Sequence, residues 1–337
     1  MNQPSTFILG PCSAESREQV LTTARQIQEA CGVPFIFRAG VWKPRTSPDT
    51  YQGSGEAGLA WLAEVRETFG VPVATEVATP EHVEAAMKAG IDYLWIGART
   101  SASPIAVQKI ADAIRPASLA GLLIKNPVNA DAALWLGNIA RLERTGIPVI
   151  AVHRGCGHQP CWSIAHAVRL ARPDIPMLLD PSHLSGDASQ VPALMTKVSE
   201  LGLDGAMIEV HCNPSEALSD AKQQISPGGL TAALKDRCAV RPLRCETANA
   251  DRLELNWLRA EIDELDDRLW ETIAARMDVS RRIGAWKQTH GVPPLQPERA
   301  KMISEKLRVK SEKLGLDENW MLRVWDLIHE ESLHQQQ

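Results

Sequence analysis

Four side chains in this sequence are of the types that bind a divalent transition metal. They are one thiol, one imidazole and two carboxylates, found at Cys12, His183, Glu209 and Asp220. This mixture of soft and hard ligands suits manganese, iron, cobalt or zinc better than magnesium. A single cysteine is more often a small buried apolar residue. The prediction of a metal site therefore depends on the four residues lying together.

A second group of side chains is suited to binding an anion. Five cations follow short apolar runs of the chain, at Arg38, Lys43, Arg99, Lys125 and Arg154. Each alone could be a solvated surface charge. If they converge, they repel one another unless an anion bridges them, and a phosphate or phosphorylated carboxylate is the expected ligand. Glu76 follows another such run. Two roles are open for it, a counter-ion of Lys125 or a structural ion-pair partner.

The segment Lys43-Pro44-Arg45-Thr46-Ser47-Pro48 adds a basic loop after the second apolar run. Each proline fixes its φ angle and removes a backbone donor, which makes the loop stiff. A stiff loop with two cations and two hydroxyls is suited to holding a phosphate.

Eight apolar runs must position these side chains. They alternate with helix-like stretches such as 18–30, 130–145 and 162–172, and they lie at 7–9, 34–37, 71–74, 93–96, 121–124, 148–152, 177–179 and 205–208. This alternation predicts an α/β fold, a (β/α)8 TIM barrel. The carboxyl ends of barrel strands meet at one mouth, where barrel enzymes carry their active sites. The candidate ligands and cations should therefore lie together.

Length and composition limit the remaining possibilities. The 337 residues exceed one barrel of about 250 residues by enough for a second small domain. A net charge of -5 gives no basic surface for nucleic acid. No apolar run approaches the roughly 18 residues of a membrane span, and the seven cysteines are scattered as in reduced proteins. We expect a soluble, cytoplasmic protein with no membrane partner.

The C-terminal part of the chain has a different pattern. We predict a barrel domain over 1–238, a linker over 239–250 and an all-helical domain over 251–337. The first helix has apolar residues at spacings of three and four, the segment 291–297 ends it, and two further helices begin near Glu298 and Glu318. Three amphipathic helices bury too little surface alone, so we expect this domain to form a homodimer.

The cations of the first C-terminal helix also point to a ligand. Arg276 and Lys287 are eleven residues apart, about 20° around a helix, so they share a face. Arg259 points about 100° away from Arg276. A second helix, from the same or another subunit, must complete any site that uses all three. The alternative is that these cations only solvate a dimerisation hairpin.

The loop after the sixth apolar run contains His153, Cys156, His158 and Cys161. These residues could form a second metal site, but their spacing does not match a zinc ribbon. Coincidental loop thiols are the preferred interpretation, and no role is assigned to Cys156 and Cys161.

Eight segments occur in a fixed order: GPCSAES, FRAGVWKPRTSP, ATEVATP, WIGART, KNP, HRG, DPSHLSGD and IEVHCNPSEALSDAKQQI. Together they resemble the type Iβ class of 3-deoxy-D-arabino-heptulosonate 7-phosphate (DAHP) synthases. The resemblance implies an aldol-like condensation of phosphoenolpyruvate with erythrose 4-phosphate, the entry step of aromatic amino-acid synthesis.

That resemblance also assigns roles to residues of this chain. The metal ligands would be Cys12, His183, Glu209 and Asp220, and we favour manganese as the metal. Phosphoenolpyruvate would be held by Arg38, Lys43, Arg99, Lys125 and Arg154, with Glu76 beside them. Arg45 and Thr46 would hold the aldose phosphate. As a hypothesis of our own from the chemistry of the reaction, Lys43 also donates a proton to the developing alkoxide.

A related family joins phosphoenolpyruvate to arabinose 5-phosphate instead. It has a similar fold and many of the same phosphate contacts. In that family the loop typically reads Ala-Asn-Arg-Thr-Ser, whereas Lys43-Pro44-Arg45-Thr46 is intact here. The loop therefore favours erythrose 4-phosphate.

The C-terminal segments LRAEIDELDDRL, AARM, IGAWK, PERA and EESLHQQ resemble the all-helical chorismate mutases. The resemblance implies rearrangement of chorismate to prephenate, with Arg259 contributed by one protomer. The other protomer would contribute Arg276, Lys287, Arg299, Ser332 and Gln336. Lys287 and Gln336 would donate hydrogen bonds to the breaking ether, a reaction that needs no nucleophile or general base.

Two interpretations of the helical domain stay open. It is either a second catalyst, with feedback inhibition of the barrel by prephenate or chorismate, or a ligand-sensing module without turnover. Turnover distinguishes them, because both would bind chorismate or prephenate.

Overall fold

The computed structural model describes residues 6–43, 49–115, 119–157, 159–234 and 247–336. Eight parallel strands form one closed barrel, in which each strand pairs with the next and β8 pairs with β1. The strands are β1 (Thr6–Gly10), β2 (Ile36–Arg38), β3 (Val73–Val77), β4 (Tyr93–Ile96), β5 (Gly121–Lys125), β6 (Val149–His153), β7 (Met177–Leu179) and β8 (Gly205–Glu209). The predicted barrel is confirmed.

The observed strands differ from the predicted runs by a few residues. The clearest shifts are in β2 and β6, whose predicted runs began at Pro34 and Pro148, before the first observed strand residues. Proline has no N–H to donate to a strand ladder, so it is disfavoured inside a sheet. At their other ends, β2 includes Arg38 and β6 includes His153.

Nine α-helices of the described chain belong to the barrel region. They are α1 (Arg17–Cys31), α2 (Glu56–Phe69), α3 (Pro80–Lys88), α4 (Pro104–Ala113), α5 (Ala132–Glu143), α6 (Trp162–Ala171), α7 (Pro181–Ser185), α8 (Val191–Glu200) and α9 (Pro227–Leu234). Several begin at capping side chains: Ser16, Thr79, Ser103 and Asp131 each accept a hydrogen bond from a first-turn N–H. Such caps satisfy donors that have no partner within the helix.

The interior of the barrel is filled by side chains. Each strand contributes one member of a buried cluster, which comprises Ile8, Ile36, Ala74, Trp95, Leu123, Val152, Leu178 and Met207. The barrel is therefore a packed core and not a pore. Polar side chains at the carboxyl ends of the strands lie above this core.

Gly10 allows the end of β1 to approach β2 closely. Its φ is +148°, and a Cβ at this position would overlap the carbonyl oxygen of Arg38. Beyond this contact, the Gly40 N–H donates to the Cys12 carbonyl at 3.2 Å. Glycine at position 10 therefore helps to place Cys12 beside the segment that carries Lys43.

The helical region comprises α10 (Thr247–His290), α11 (Pro297–Leu314) and α12 (Glu318–His334). Backbone contacts divide the chain into two units, residues 1–261 and 262–337. Residues 235–246, which include most of the predicted linker, lie outside the described residues. The predicted domain bounds therefore stay a prediction. No helix in the described ranges is long and apolar enough to cross a membrane.

The first unit includes the beginning of α10, which packs on the barrel. Trp257 is 3% exposed and stacks on His166 of α6, with ring centroids 5.4 Å apart. His166 Nδ1 is also 2.6 Å from Glu261 Oε1, and Asn256 donates to the carbonyl of Glu200 at 2.7 Å. Residues 256–261 thus contact the barrel helices through both apolar packing and polar interactions.

Candidate active sites

The predicted metal ligands lie together at the mouth of the barrel. The ligand atoms of Cys12, Glu209 and Asp220 are within 4.8 Å of one another. Cys12 Sγ is 2.9 Å from Asp220 Oδ2, and His183 Nε2 is 3.6 Å from Glu209 Oε1. A thiol, an imidazole and two carboxylates therefore meet, and this donor set fits a divalent transition metal.

Different elements supply these four side chains. Cys12 follows β1, Glu209 ends β8 and His183 lies in α7. Asp220 lies beyond β8 with a φ of 50°, in the left-handed region. Aspartate adopts this conformation more readily than most residues, so the turn is compatible with its side chain.

Ionisation of the thiol depends on a cation. Burial, followed by the charge of Glu209, raises the pKa of Cys12 to about 12, although Lys43 opposes this shift. Lys43 Nζ is 3.0 Å from the Cys12 sulfur. Metals bind the thiolate form of cysteine, so binding here would release the proton of the thiol.

A cavity of about 460 Å³ lies beside the metal-ligand cluster. Its walls include every predicted substrate-binding residue that the structure describes: Arg38, Lys43, Glu76, Arg99, Lys125 and Arg154. His183 and Asp220 also line it. Arg45 and Thr46 lie outside the described residues. The structure thus brings five cations to the metal-ligand cluster, and their roles in binding stay predictions.

Arg38 is the most deeply buried of these cations. Its guanidinium carbon is 4.8 Å from the ring centroid of Trp95, and Nη2 is 3.0 Å from Glu209 Oε1. Its Nε and Nη1 atoms are buried without a hydrogen-bond partner among the described residues, as is Nε of Arg154. Buried donors without partners are costly, so an anion rich in acceptors would complete this site.

The ion-pair partner of Lys125 is Asp180, which sequence reasoning did not select. Lys125 Nζ is 2.6 Å from Asp180 Oδ2, so Glu76 is not needed as the predicted counter-ion. Burial opposes ionisation of Asp180, but the charges of His183 and Lys125 hold its pKa well below the usual range. The signal was present in the sequence, because Asp180 directly follows the seventh apolar run.

Asn126 and two glutamines were also missed. Asn126 Oδ1 accepts from the Arg154 N–H at 2.7 Å, and its Nδ2 donates to the Gly155 carbonyl at 2.9 Å. Gln223 and Gln224 contact the metal-ligand residues. Asparagine and glutamine are common in loops, and no sequence spacing distinguishes these three residues as part of a site.

The loop after β6 does not form a second metal cluster in its described residues. His153 is buried, its Nε2 lies 2.7 Å from the Pro160 carbonyl, and burial lowers its pKa to about 4. His158 lies outside the described residues. His153, Cys156 and Cys161 are not among the grouped metal-ligating side chains.

The second unit brings together four predicted mutase residues in two pairs. Arg276 donates to the hydroxyl of Ser332, and its guanidinium carbon is 5.1 Å from the ring centroid of Trp325. Lys287 Nζ donates to Gln336 Oε1 at 2.9 Å and to the Pro294 carbonyl at 2.6 Å. Lys287 and Ser332 are buried, so a polar site forms between α10 and α12.

The other two predicted mutase residues are placed differently. Arg299 is exposed on α11, and Arg259 is exposed in the part of α10 that belongs to the first unit. Their predicted roles stay predictions.

The barrel and its mouth define a class of protein in which several cations and metal-ligating side chains line one cavity. A family model described as the DAHP synthetase I family matches residues 1–241. The chain belongs to this family. A second model, chorismate mutase type II, matches residues 258–337. The chain therefore combines a domain of the DAHP synthetase I family with a domain that matches chorismate mutase type II, and both predicted resemblances are confirmed.

Individual relatives agree with the family assignment. Phospho-2-dehydro-3-deoxyheptonate aldolase of Thermotoga maritima is 32% identical over 228 residues, which cover 65% of this chain and 65% of that protein. This chain thus spans less than two thirds of that relative. The 2-dehydro-3-deoxyphosphooctonate aldolase of Azoarcus sp. is 30% identical over 243 residues, covering 65% of this chain and 85% of that protein.

A solved structure shares the fold. The crystal structure of the Thermotoga maritima DAHP synthase superposes with a TM-score of 0.60 at 28% identity, covering 69% of this chain and 67% of that chain. A truncated form of the synthase gives a TM-score of 0.58 at 25% identity, covering 69% of this chain and 84% of that one.

Proposed function

We propose that the barrel condenses phosphoenolpyruvate with erythrose 4-phosphate to form DAHP and inorganic phosphate. The observation that carries this proposal is the cavity in which five cations face a cluster of metal-ligating side chains. Two phosphorylated anions need such a concentration of positive charge, because each must be held near the other without repulsion.

The described residues supply binding, orientation and a proton. Arg38 and Arg154 have buried donors available to phosphoenolpyruvate, and Asp180 orients the Lys125 cation. Holding both substrates in one geometry removes much of the entropic barrier to carbon–carbon bond formation. The nucleophilic carbon of phosphoenolpyruvate attacks the aldehyde carbon, water adds at the former enol carbon, and phosphate leaves.

Lys43 is the candidate proton donor to the alkoxide that develops on the former aldehyde oxygen. It lines the cavity, and its Nζ is 3.1 Å from the Cys12 carbonyl oxygen. Cys12, His183, Glu209 and Asp220 would hold the metal, whose chemistry when bound is polarisation of the aldehyde carbonyl. We favour manganese; restoring metal-depleted protein with manganese, iron, cobalt or zinc separately tests this choice.

A second candidate reaction uses arabinose 5-phosphate instead. Its specific support is the Azoarcus relative, a 2-dehydro-3-deoxyphosphooctonate aldolase. Phosphate release with each aldose at equal concentration discriminates the two reactions. We expect erythrose 4-phosphate to be preferred because Pro44 is present in the loop. A higher kcat/KM for arabinose 5-phosphate would overturn the first proposal.

We also propose that the helical domain converts chorismate to prephenate. Arg276 would bind a carboxylate, and Lys287 and Gln336 would donate hydrogen bonds to the ether oxygen whose bond breaks. Chorismate consumption by the full chain should fall at least 100-fold in Arg276→Ala. The matched control is Arg308→Ala, which removes an exposed arginine paired with Glu318 on the same unit. Binding without turnover would leave a ligand-sensing module.

A homodimer would supply Arg259 to this site. The support is a row of exposed apolar side chains on α10: Ile262, Leu265, Leu269 and Trp270 are 52–66% exposed. Sedimentation should give a dimer that Leu265→Asp dissociates. Mixing Arg259→Ala with Arg276→Ala should restore about a quarter of the mutase turnover, because a mixed dimer keeps one intact shared site. No restoration would place Arg259 outside the partner's site.

Feedback by prephenate or chorismate is the regulatory part of the proposal. A ligand of the helical domain alters the barrel only if it binds two states of the chain with different affinity. Saturating prephenate should lower the synthase rate of the full chain, and Arg276→Ala should remove that response.

The phosphorylated substrates are charged and cross bilayers poorly, which supports a cytoplasmic location.

A further inference from the structure

Two consecutive glutamines contact different residues of the metal-ligand cluster. Gln223 Nε2 donates to Glu209 Oε2 at 2.8 Å. Gln224 Oε1 accepts from the Cys12 N–H at 3.0 Å, and its Nε2 donates to the Ser219 carbonyl at 2.7 Å. Gln223 is 9% exposed and Gln224 is 1% exposed. Buried amides at these distances fix the groups they contact.

Backbone hydrogen bonds anchor the segment that carries these glutamines. Ile225, the next residue, donates its N–H to the Glu209 carbonyl at 2.9 Å. Its own carbonyl accepts from the His211 N–H at 3.0 Å. Val210 and Ile225 form a parallel bridge beside the end of β8. These contacts fix the backbone of residues 223–225 beside the carboxyl end of β8. Both amides therefore start from a fixed position next to the metal ligands.

The Glu209 carboxylate is restrained at both oxygens. Oε1 is 3.0 Å from Arg38 Nη2, and Oε2 accepts from Gln223. A carboxylate held at both ends has little freedom to rotate. The donors that hold it come from the two sides of β1, because Arg38 ends β2, Gln223 follows β8, and both of these strands pair with β1.

Cys12 is restrained on both sides of its backbone. Its N–H donates to Gln224, and its carbonyl accepts from Lys43 Nζ at 3.1 Å. Its side chain is also held, because Sγ lies 3.0 Å from Lys43 Nζ and 2.9 Å from Asp220 Oδ2. Gln224 uses its acceptor for Cys12 and its donor for Ser219, the residue before Asp220. A glutamate could not supply that donor, so a neutral amide is the appropriate group.

We propose that Gln223 and Gln224 are positioning residues that orient the metal ligands. Gln223 orients Glu209, and Gln224 joins Cys12 to the turn that carries Asp220. The inference rests on the proposed metal site. Partners that orient metal ligands contribute roughly 10–100-fold to metal affinity.

The test is a cobalt(II) titration of the metal-depleted full-length chain, read by thiolate-to-cobalt charge-transfer absorption. We expect Gln223→Met to raise Kd about 10–100-fold and to keep the thiolate band, because Cys12 is still held. We expect Gln224→Met to raise Kd similarly and to weaken or shift the band. Gln190→Met is the control, since Gln190 is exposed in a turn of the same barrel.

The outcomes separate this inference from the proposed function. If the unaltered chain shows no thiolate band, the proposed metal site is wrong. If it shows the band and both variants titrate like the control, the inference is wrong. Gln224→Glu keeps an acceptor for Cys12, so its band should persist even if Gln224→Met fails to fold. Loss of the band in a folded Gln224→Glu would overturn the role assigned to the acceptor.

Discussion

Lys125 Nζ lies 2.6 Å from Asp180 Oδ2, and the Asp180 carboxylate also lies 2.9 Å from His183 Nδ1. One buried carboxylate thus contacts both a cation that lines the cavity at the barrel mouth and a candidate metal ligand. This arrangement couples the two halves of the site, because Asp180 cannot move without disturbing both neighbours.

Asp180→Asn should impair metal binding and phosphoenolpyruvate binding together. The amide is nearly the same size but has no negative charge for Lys125 or His183. We expect roughly a 10–100-fold loss of metal affinity, with a higher KM for phosphoenolpyruvate, measured by titration and steady-state kinetics. Asp187→Asn, at an exposed turn, is the control. A change in only one of the two quantities would contradict the coupling.

Gly284→Ala should weaken the mutase without weakening its helix. An added Cβ would lie 2.6 Å from Gln336 Cα and 2.8 Å from its carbonyl oxygen, so the backbone near Gln336 must move away from Lys287. Alanine favours helix over glycine by about 1 kcal/mol. We expect at least a 10-fold lower kcat for chorismate. The control is Gly137→Ala in α5, where the added Cβ would contact only the end of an arginine side chain. This variant should keep the rates of both DAHP formation and chorismate consumption.

Removal of divalent metals should separate the two activities. The metal-ligand cluster belongs to the barrel unit, whereas a pericyclic rearrangement needs only a preorganised polar pocket. A chelator should abolish DAHP formation and leave chorismate consumption within about two-fold of its starting value. Equal loss of both rates would show that the helical site also depends on metal.

Trp257→Ala should destabilise the barrel unit. Its indole is 3% exposed and packs edge-on against Trp162, with centroids 6.1 Å apart. Truncating a buried aromatic residue costs about 3 kcal/mol, which should lower the midpoint of thermal unfolding by roughly 5–10 °C. Leu170→Ala changes a residue that is 63% exposed and should have little effect. An unchanged midpoint for Trp257→Ala would mean that this contact contributes little to stability.

His153 should make the protein less stable as the pH falls. Burial lowers its pKa from 6.5 to about 4, so the folded state disfavours the protonated ring that the unfolded chain accepts. Stability should be unaffected by this group above pH 6.5 and should fall between pH 6.5 and 4 by roughly 1.4 kcal/mol per unit. His153→Gln keeps a donor and cannot titrate. Urea unfolding at several pH values should therefore show that the free energy of unfolding falls less steeply for the variant between pH 6.5 and 4.

The sequence alone determined the order of the elements and the positions of most charged groups. Apolar runs alternating with helical stretches predicted the barrel, and residues directly after those runs had to lie at its mouth. Cys12, Arg38 and Lys125 were found in this way, because their location follows from local periodicity and one general property of barrels.

Only the tertiary structure decided which of these groups contact one another. Cys12 and Asp220 are separated by 208 positions, yet β8 pairs with β1 and closes the barrel between them. The choice of Asp180 over Glu76 for Lys125, and the contacts of Gln223 and Gln224, depend on side-chain directions after closure. Local periodicity carries no information on such contacts, since they form between segments that become neighbours only when the chain is folded.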